Sequence, residues 1–490
     1  MKNNDYRKEI MTEEQVKLAN DLIGKYIASW KDKEQRGLFD LWEKVESYWE
    51  GMPRYPASME DPNSNVNFVH PNIEGQVALL VNQDISLDIK PVTPADQAFA
   101  DRTKTMLNWV KEKNKLTRKI DQHERRREKF GTGIFRVLFD PDSQNGFGLP
   151  TIESVNPAYV FIDPSISDIY KIQQGQYIIE SLTKPVSWAK EQFGQILGGA
   201  INKTYDPTGS YIFDENNQDC YLHLMAWLRT DDKLRLVQLS GDGIILSDSF
   251  IDNEGESFYP TDKFPYFFTP LYIREGTVWA KGDAELLIPL QDLVDELDDQ
   301  IRINARLSGN PQRLVDVSSN IDLDKWTNES GLIIPTSNIN GAKYLNPPEM
   351  PDYPLHRREF AINYERQIIS RFSDQMTGQA TKKDLTATEA EGLLNQGSML
   401  VNHKKVLLQE TLSEVFEYCL MLMKEYYSHE KAFRLSDGQF EYWKASDLKA
   451  IPTSNLETKD AEFDIIVSIG KTENKKYGEL EDKKKEGNDE

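Results

Sequence analysis

With 490 residues the chain is too long for one ordinary domain and has room for about three at roughly 150 residues each. Its 39% hydrophobic and 10% aromatic content excludes wholesale disorder. Its net charge of -22 excludes tight, non-specific wrapping of a polyphosphate, because that affinity comes from Lys and Arg displacing counterions.

Two cysteines, Cys220 and Cys419, are too few for a disulfide framework or a four-sulfur zinc site, and they fit a reducing compartment. The N-terminus shows no apolar signal core, and no stretch approaches the ~18 uninterrupted apolar residues of a membrane span. A cytoplasmic site of synthesis and no membrane partner are expected.

From Thr12 to Val45 the spacing of apolar residues predicts helix, with Thr12 and Gln15 placed to form a capping box. Residues 65–91 lead through Ile73, Val77, Leu79, Leu80 and Val81 into an alternating strand at Ile85, Leu87 and Ile89. One helix is then predicted over 94–130, ending at Gly131 and Gly133. Strands follow at 134–139, 151–155, 160–163 and 176–181, a helix at 186–193, and a hairpin of 222–227 with 234–239 around Thr230. Together these make a mixed α+β body over residues 1–275.

The pattern then changes. In a helix opening near 283, Leu286, Leu290, Leu293, Val294, Leu297 and Ile301 share one side, while Asp292, Asp295, Glu296 and Asp299 share the other. Pro289 lies near its start and either kinks or initiates it. Gly309-Asn310-Pro311 ends it, and short apolar runs at 314–315 and 332–334 predict small strands before Pro347 and Pro348. A helix returns over 355–375, with Ala361, Tyr364, Ile368 and Phe372 on one stripe. A polar loop with Lys382 and Lys383 precedes a last long helix to Tyr427, whose weak points are Gly392 and Gly397. Strands at 439–443 and 463–469 follow, and 471–490 is charged enough to predict a disordered tail.

Signatures of phosphate-loop, zincin and hydrolase chemistry are absent from the sequence. Gly131-Thr132-Gly133 is a fragment of a dinucleotide fingerprint, placed before a strand where the fingerprint needs a helix. None of the six histidines forms an i, i+4 pair, so packing or surface roles are expected for them. Arg125, Arg126 and Arg127 read as the exposed side of an amphipathic helix, with phosphate contact as the alternative. The four carboxylates at 292, 295, 296 and 299 read as a solvated helix face, with divalent-cation binding as the alternative. Lys382 and Lys383 sit in a loop between helix ends, where access to an anion would explain them.

The order of these elements resembles the portal proteins of tailed bacteriophages, the head-to-tail connector family. The resemblance rests on Tyr48-Trp49-Glu50-Gly51, Gly131 to Val137 leading to Asp140-Pro141, Ile162-Asp163-Pro164, Ile288 to Asp292, and Thr386 to Ala390, in that order. It implies an α+β portal-type fold forming a ring, with these parts: a wing (1–275), a first stem helix (276–310), a small α/β clip (311–354), a return stem helix (355–376), a tunnel loop (377–388), a long, kinked wing or crown helix (389–430), wing-return or reduced crown strands (431–470) and a tail (471–490).

The implied activity is that of a non-enzymatic, usually dodecameric conduit at one capsid vertex of the virion, assembled in a bacterial cytoplasm. Double-stranded DNA would be packaged and ejected through it. Implied partners are a large terminase, head-completion or adaptor proteins, the major capsid protein and a scaffold. Lys382, Lys383, Thr381 and Gln379 would face DNA from the tunnel loop. Asp292, Asp295, Glu296 and Asp299 would form an acidic stem face, and Trp326, Arg313 and Lys325 would be clip contacts for a partner. No cofactor or metal is implied. The alternatives are a metal-dependent phage nuclease using the acidic helix and an adaptor or scaffold-binding protein that never touches DNA.

Overall fold

This computed structural model of the chain describes residues 10–52, 64–81, 84–92, 96–201, 220–231, 233–309, 312–322, 333, 335–345, 352–364, 387–427, 431–434, 440–444, 451–452, 458–459 and 462–470. The described residues are mixed α+β and fall into two compact units. The first is Met1–Val45, Ile73–Ala284 and Ser398–Glu490; the second is Glu46–Asn72 and Glu285–Gly397. Residues 46–72, which the sequence reading placed in the body, belong to the second unit. Each passage of the chain from one unit to the other falls inside a helix: Leu38–Glu50, Val69–Val81, Asp283–Gly309 and Ala387–Tyr426.

In the first unit the helix Glu13–Gln35 opens on the expected capping box, in which Thr12 and Gln15 satisfy each other's backbone N–H groups. Its Leu22 and Tyr26 cover a five-stranded antiparallel sheet ordered β4 (Val160–Ile162), β5 (Tyr177–Pro185), β6 (Cys220–Thr230), β7 (Lys233–Ser240) and β8 (Ile245–Asp248). Phe161, Ile179, Leu224, Ala226, Val237 and Leu239 meet that helix in one core. Each of the larger side chains among these is worth about 1.5–3 kcal/mol when fully buried. The predicted hairpin is β6–β7, with Thr230 opposite Lys233. Lys33, in the last turn of the helix, is also buried: its Nζ donates to Pro157 O at 2.7 Å and lies over the rings of Phe161 and Trp279 at 4.3 and 4.4 Å. Burial draws its pKa well below the usual lysine value.

A second sheet is ordered β3 (Leu149–Val155), β2 (Thr132–Asp140) and β9 (Tyr266–Pro270). Beside it the helix predicted over 94–130 is two helices, Gln97–Lys113 and Leu116–Phe130. The break at Asn114 and Lys115 is tertiary in origin. Asn114 Nδ2 donates to Pro150 O at 2.9 Å and Asn114 Oδ1 accepts the Ile152 N–H at 2.8 Å, so the side chain ties the turn to β3 while Lys115 goes to φ +50. The strand Phe463–Ile469 returns to this unit and pairs antiparallel with β1 (Ile85–Pro91), Leu87 opposite Val467.

In the second unit the outgoing helix Asp283–Gly309 contains Pro289 within its second turn. After it, Gln312–Val315 pairs with Ala342–Leu345, Val315 opposite Ala342. Of the apolar run 332–334, Leu332 and Ile334 lie outside the described residues, and Ile333 is outside any strand and 90% exposed. Val317 is 96% and Leu314 56% exposed as well, so among the described residues of this knob these apolar side chains do not form a core. Polar bonds to backbone hold it instead. Asp316 Oδ1 and Asn338 Oδ1 each accept the N–H two residues on, at 3.0 and 3.1 Å, and Ser319 O accepts from Ser337 Oγ at 2.7 Å. The return helix is described over Tyr353–Tyr364; of the expected stripe Ala361 is buried, but Tyr364 is 44% exposed. Of the stripe's other members, Ile368 and Phe372 lie outside the described residues. The long helix is continuous through Gly392 and Gly397, and the division between the units falls at Gly397.

Gly131 ends the Leu116–Phe130 helix at φ +82, and a Cβ there would stand 2.2 Å from Ala280 O. Both the left-handed backbone and the contact with another backbone segment demand glycine. Gly131→Ala is expected to destabilise the protein by about 2–5 kcal/mol. Gly24→Ala, mid-helix with open space around it, should stabilise by up to about 1 kcal/mol. Thermal midpoints of the two variants should move in opposite directions, and a wild-type midpoint for Gly131→Ala would refute the assignment.

Candidate functional site

The acidic side of the outgoing helix is not uniformly solvated, which corrects the reading of four free carboxylates. Glu296 is exposed, but Asp295 is 1% and Asp299 6% exposed. Both are covered by residues 64–68 of the same unit. Ser64 N–H donates to Asp299 Oδ1 at 2.6 Å, Val66 N–H to Asp295 Oδ1 at 2.7 Å, and Phe68 N–H to Gln291 Oε1 at 3.2 Å.

The periodicities match. Four helical residues advance about 6 Å and two extended residues about 6.6 Å, so acceptors at 291, 295 and 299 meet the amides of 68, 66 and 64 in antiparallel order. Arg302 Nη1 adds a bond to Ser64 Oγ at 3.1 Å, and the Tyr48 hydroxyl donates to Asp292. The acidic ladder therefore works first as a strap holder. Sequence reading missed this because the partner segment lies more than two hundred residues upstream and its donors are backbone groups, which leave no mark in composition.

On the neighbouring face, Arg358 of the return helix forms a bidentate pair with Asp298, its Nη2 lying 3.2 Å from Oδ2. The outgoing and return helices are thereby held side by side. Gln379, Thr381, Lys382 and Lys383 lie outside the described residues, as do Lys325, Trp326 and the tail 471–490. Arg313 is placed by its backbone alone, in the strand Gln312–Val315 opposite Tyr344.

A second polar constellation, unforeseen from sequence, is buried in the first unit. Lys404 Nζ donates to Glu128 Oε1 and Oε2 at 2.9 and 2.8 Å and to Asp283 Oδ2 at 2.8 Å, so all three ammonium protons are used. Arg127 donates to Lys404 O and lies 2.9 Å from Glu124 Oε2. His123 Nδ1 lies 2.8 Å from Glu124 Oε1, its ring stacks on Phe135 at 3.9 Å, and Thr269 bonds its other nitrogen. Arg127 is completely buried, so it is not part of an exposed basic side. Arg125 and Arg126 are half-buried, the first on Glu74 and Asp121, the second on Ser154 O. Gly133 likewise serves packing, since a Cβ there would strike the His123 ring at 2.4 Å.

A sequence signal for this cluster did exist. Val401, Lys404, Leu408, Leu412, Val415 and Cys419 form one buried stripe at helical spacing, and Lys404 is its single charged member. Leu116, Ile120, His123, Arg127 and Phe130 form another, polar in its middle. A charge on an otherwise apolar stripe marks a paired core charge.

Burial lowers the pKa of His123, against the pull of Glu124. It raises that of Glu128 to about 8, against Lys404. Among the described residues no group of three His, Cys, Asp or Glu side chains converges in a way that would hold a metal ion. No protein-family model matches the sequence, and no curated protein matches it.

Asp299→Ala should strand the Ser64 amide at a cost of about 1–3 kcal/mol, whereas Asp299→Asn keeps an acceptor. Hydrogen exchange across 64–68 should quicken in the first variant and change little in the second; equal exchange in both would remove the strap. Lys404→Met should cost about 3–5 kcal/mol, since it leaves two buried carboxyls without their counter-charge. Denaturant unfolding checks it, and a wild-type midpoint would show that Lys404 is not the partner of Glu128 and Asp283.

Proposed function

We propose that this chain is a portal-type subunit, a non-enzymatic building block of a ring through which double-stranded DNA passes at a capsid vertex. The observation that supports this reading most directly is the second unit's hairpin of helices. An outgoing helix carries a small β-knob and is followed by a return helix pinned to it by the Arg358–Asp298 pair. Such an arm is a natural wall element when many copies surround a hole.

The charge of the chain fits transit of DNA. A molecule with net charge -22 repels phosphate over a Debye length and gives a polyanion few places to adhere. In this proposal Glu296 contributes to that repulsion, while Asp295 and Asp299 serve the subunit's own fold. Lys382 and Lys383 would supply local contacts from the tunnel loop, and Trp326, Arg313 and Lys325 would meet the terminase or an adaptor. Capsid and scaffold proteins would complete the assembly. A nuclease built on the acidic helix is disfavoured, because two of its would-be ligands already accept backbone N–H bonds at 2.6 and 2.7 Å.

Electron microscopy and native mass measurement of the purified full chain test the proposal. A closed ring of many identical copies with a central channel wide enough for duplex DNA is expected. A monomer at every concentration and in the presence of capsid or scaffold protein would overturn it.

A further inference from the structure

The Lys404 cluster sits at the roots of two helices that leave the first unit. Asp283 is the first residue of the outgoing helix, and Lys404 lies about two turns past Gly397 in the long helix. Glu128 belongs to the Leu116–Phe130 helix, which stays within the first unit. Three helices are thus tied at one ammonium, and all three residues are essentially excluded from water.

The charges of this cluster do not balance when every carboxyl is ionised. Among the groups joined by direct ion pairs, Glu124, Glu128 and Asp283 supply three negative charges and Arg127 and Lys404 two positive ones, while burial holds His123 neutral; Arg126 acts on His123 from outside this set and bonds to Ser154. One proton on the Glu128–Asp283 pair restores neutrality. The geometry has a place for it: the two side chains are within hydrogen-bonding reach of each other, which two carboxylates cannot exploit unless one is protonated. Among the described residues Asp283 Oδ1 has no hydrogen-bond partner, so an acceptor is left over for that proton.

We propose that Glu128, Asp283 and Lys404 form a proton-operated lock on the roots of the outgoing and long helices, tight while the carboxyl pair shares one proton and loosened as that proton is lost to solvent. The groups facing Glu128 are Lys404 from the long helix, Asp283 from the outgoing helix and Arg127 from its own helix. Burial pushes the Glu128 carboxyl up to about 8; Lys404 and Arg127 oppose the rise and Asp283 adds to it. Lys404, its pKa raised because Glu128 and Asp283 outweigh its burial, keeps its charge throughout.

The sign follows from linkage. The closed state holds a proton that an opened, hydrated Glu128 would release above its ordinary value of 4.5. Stabilisation of the closed state is complete below that value, declines as pH rises, and is gone above about 8. His123 acts oppositely but only in the acid range, below its ordinary 6.5. The lock stands apart from the conduit reading, since it uses only contacts within one chain.

Hydrogen exchange by mass spectrometry on the full chain tests it, with rates normalised for intrinsic base catalysis. Peptides covering 284–294 and 400–410 are compared with a reference from β6. Between pH 6.5 and 8 the two root peptides should lose protection about tenfold per pH unit and then level off, with β6 unchanged. Glu128→Gln, which keeps the shape and removes the titration, should be flat over the same range. Should that variant fail to fold, Asp283→Asn removes the same negative charge and should flatten the profile too. Wild-type protection that is constant with pH, a parallel loss in β6, or a Glu128→Gln or Asp283→Asn profile that tracks wild type would each overturn the lock.

Discussion

A carboxylate taken out of water must find donors, and that constraint governs both units of this protein. In the second unit Asp295 and Asp299 are covered, and the donors are the backbone N–H groups of residues 66 and 64. In the first, Glu128 and Asp283 are covered, and the donor is the Lys404 ammonium. Each solution joins segments far apart in the chain, so these polar bonds fix which segments lie together. The interior dielectric makes the pairing strong and makes any missing partner expensive.

The same constraint redistributes the roles assigned to the acidic residues. A helix with carboxylates at 292, 295, 296 and 299 looks like a surface built to repel or to bind an ion. Of the four only Glu296 is exposed, and the buried members organise the strap at 64–68. In the conduit proposal, repulsion of DNA therefore rests on the chain's overall charge more than on one helix face. The arm's geometry rests on the Arg358–Asp298 pair and on a knob whose bonds are mostly to backbone. Such a knob tolerates change in its exposed side chains while keeping its shape, as a variable docking element would require.

Much of the fold was legible in local chemistry. The capping box at Thr12, the left-handed stop at Gly131, the β6–β7 hairpin and the long C-terminal helix all depend on residues within one turn or one loop of each other. The division of the 94–130 helix was not legible, because Asn114 breaks it by bonding to β3, a partner about forty residues away. Ile333 is exposed and outside any strand, so its apolar character alone did not reveal its setting. Of the proposed site, the acidic ladder was visible as a pattern and its use was not, and of the Lys404 cluster only Arg127 was singled out, as part of an exposed basic side.

Periodicity, caps and turn residues determined many of the helices and strands but not all of their limits, since those preferences act over a few residues. Which polar side chains are buried, and against what, was decided by the tertiary fold alone. A carboxylate on a helix reads the same whether water, a lysine or a backbone amide lies opposite. Only the arrival of Ser64 and Val66 beside Asp299 and Asp295, and of Lys404 between Glu128 and Asp283, turns surface-like residues into the internal fastenings of this protein.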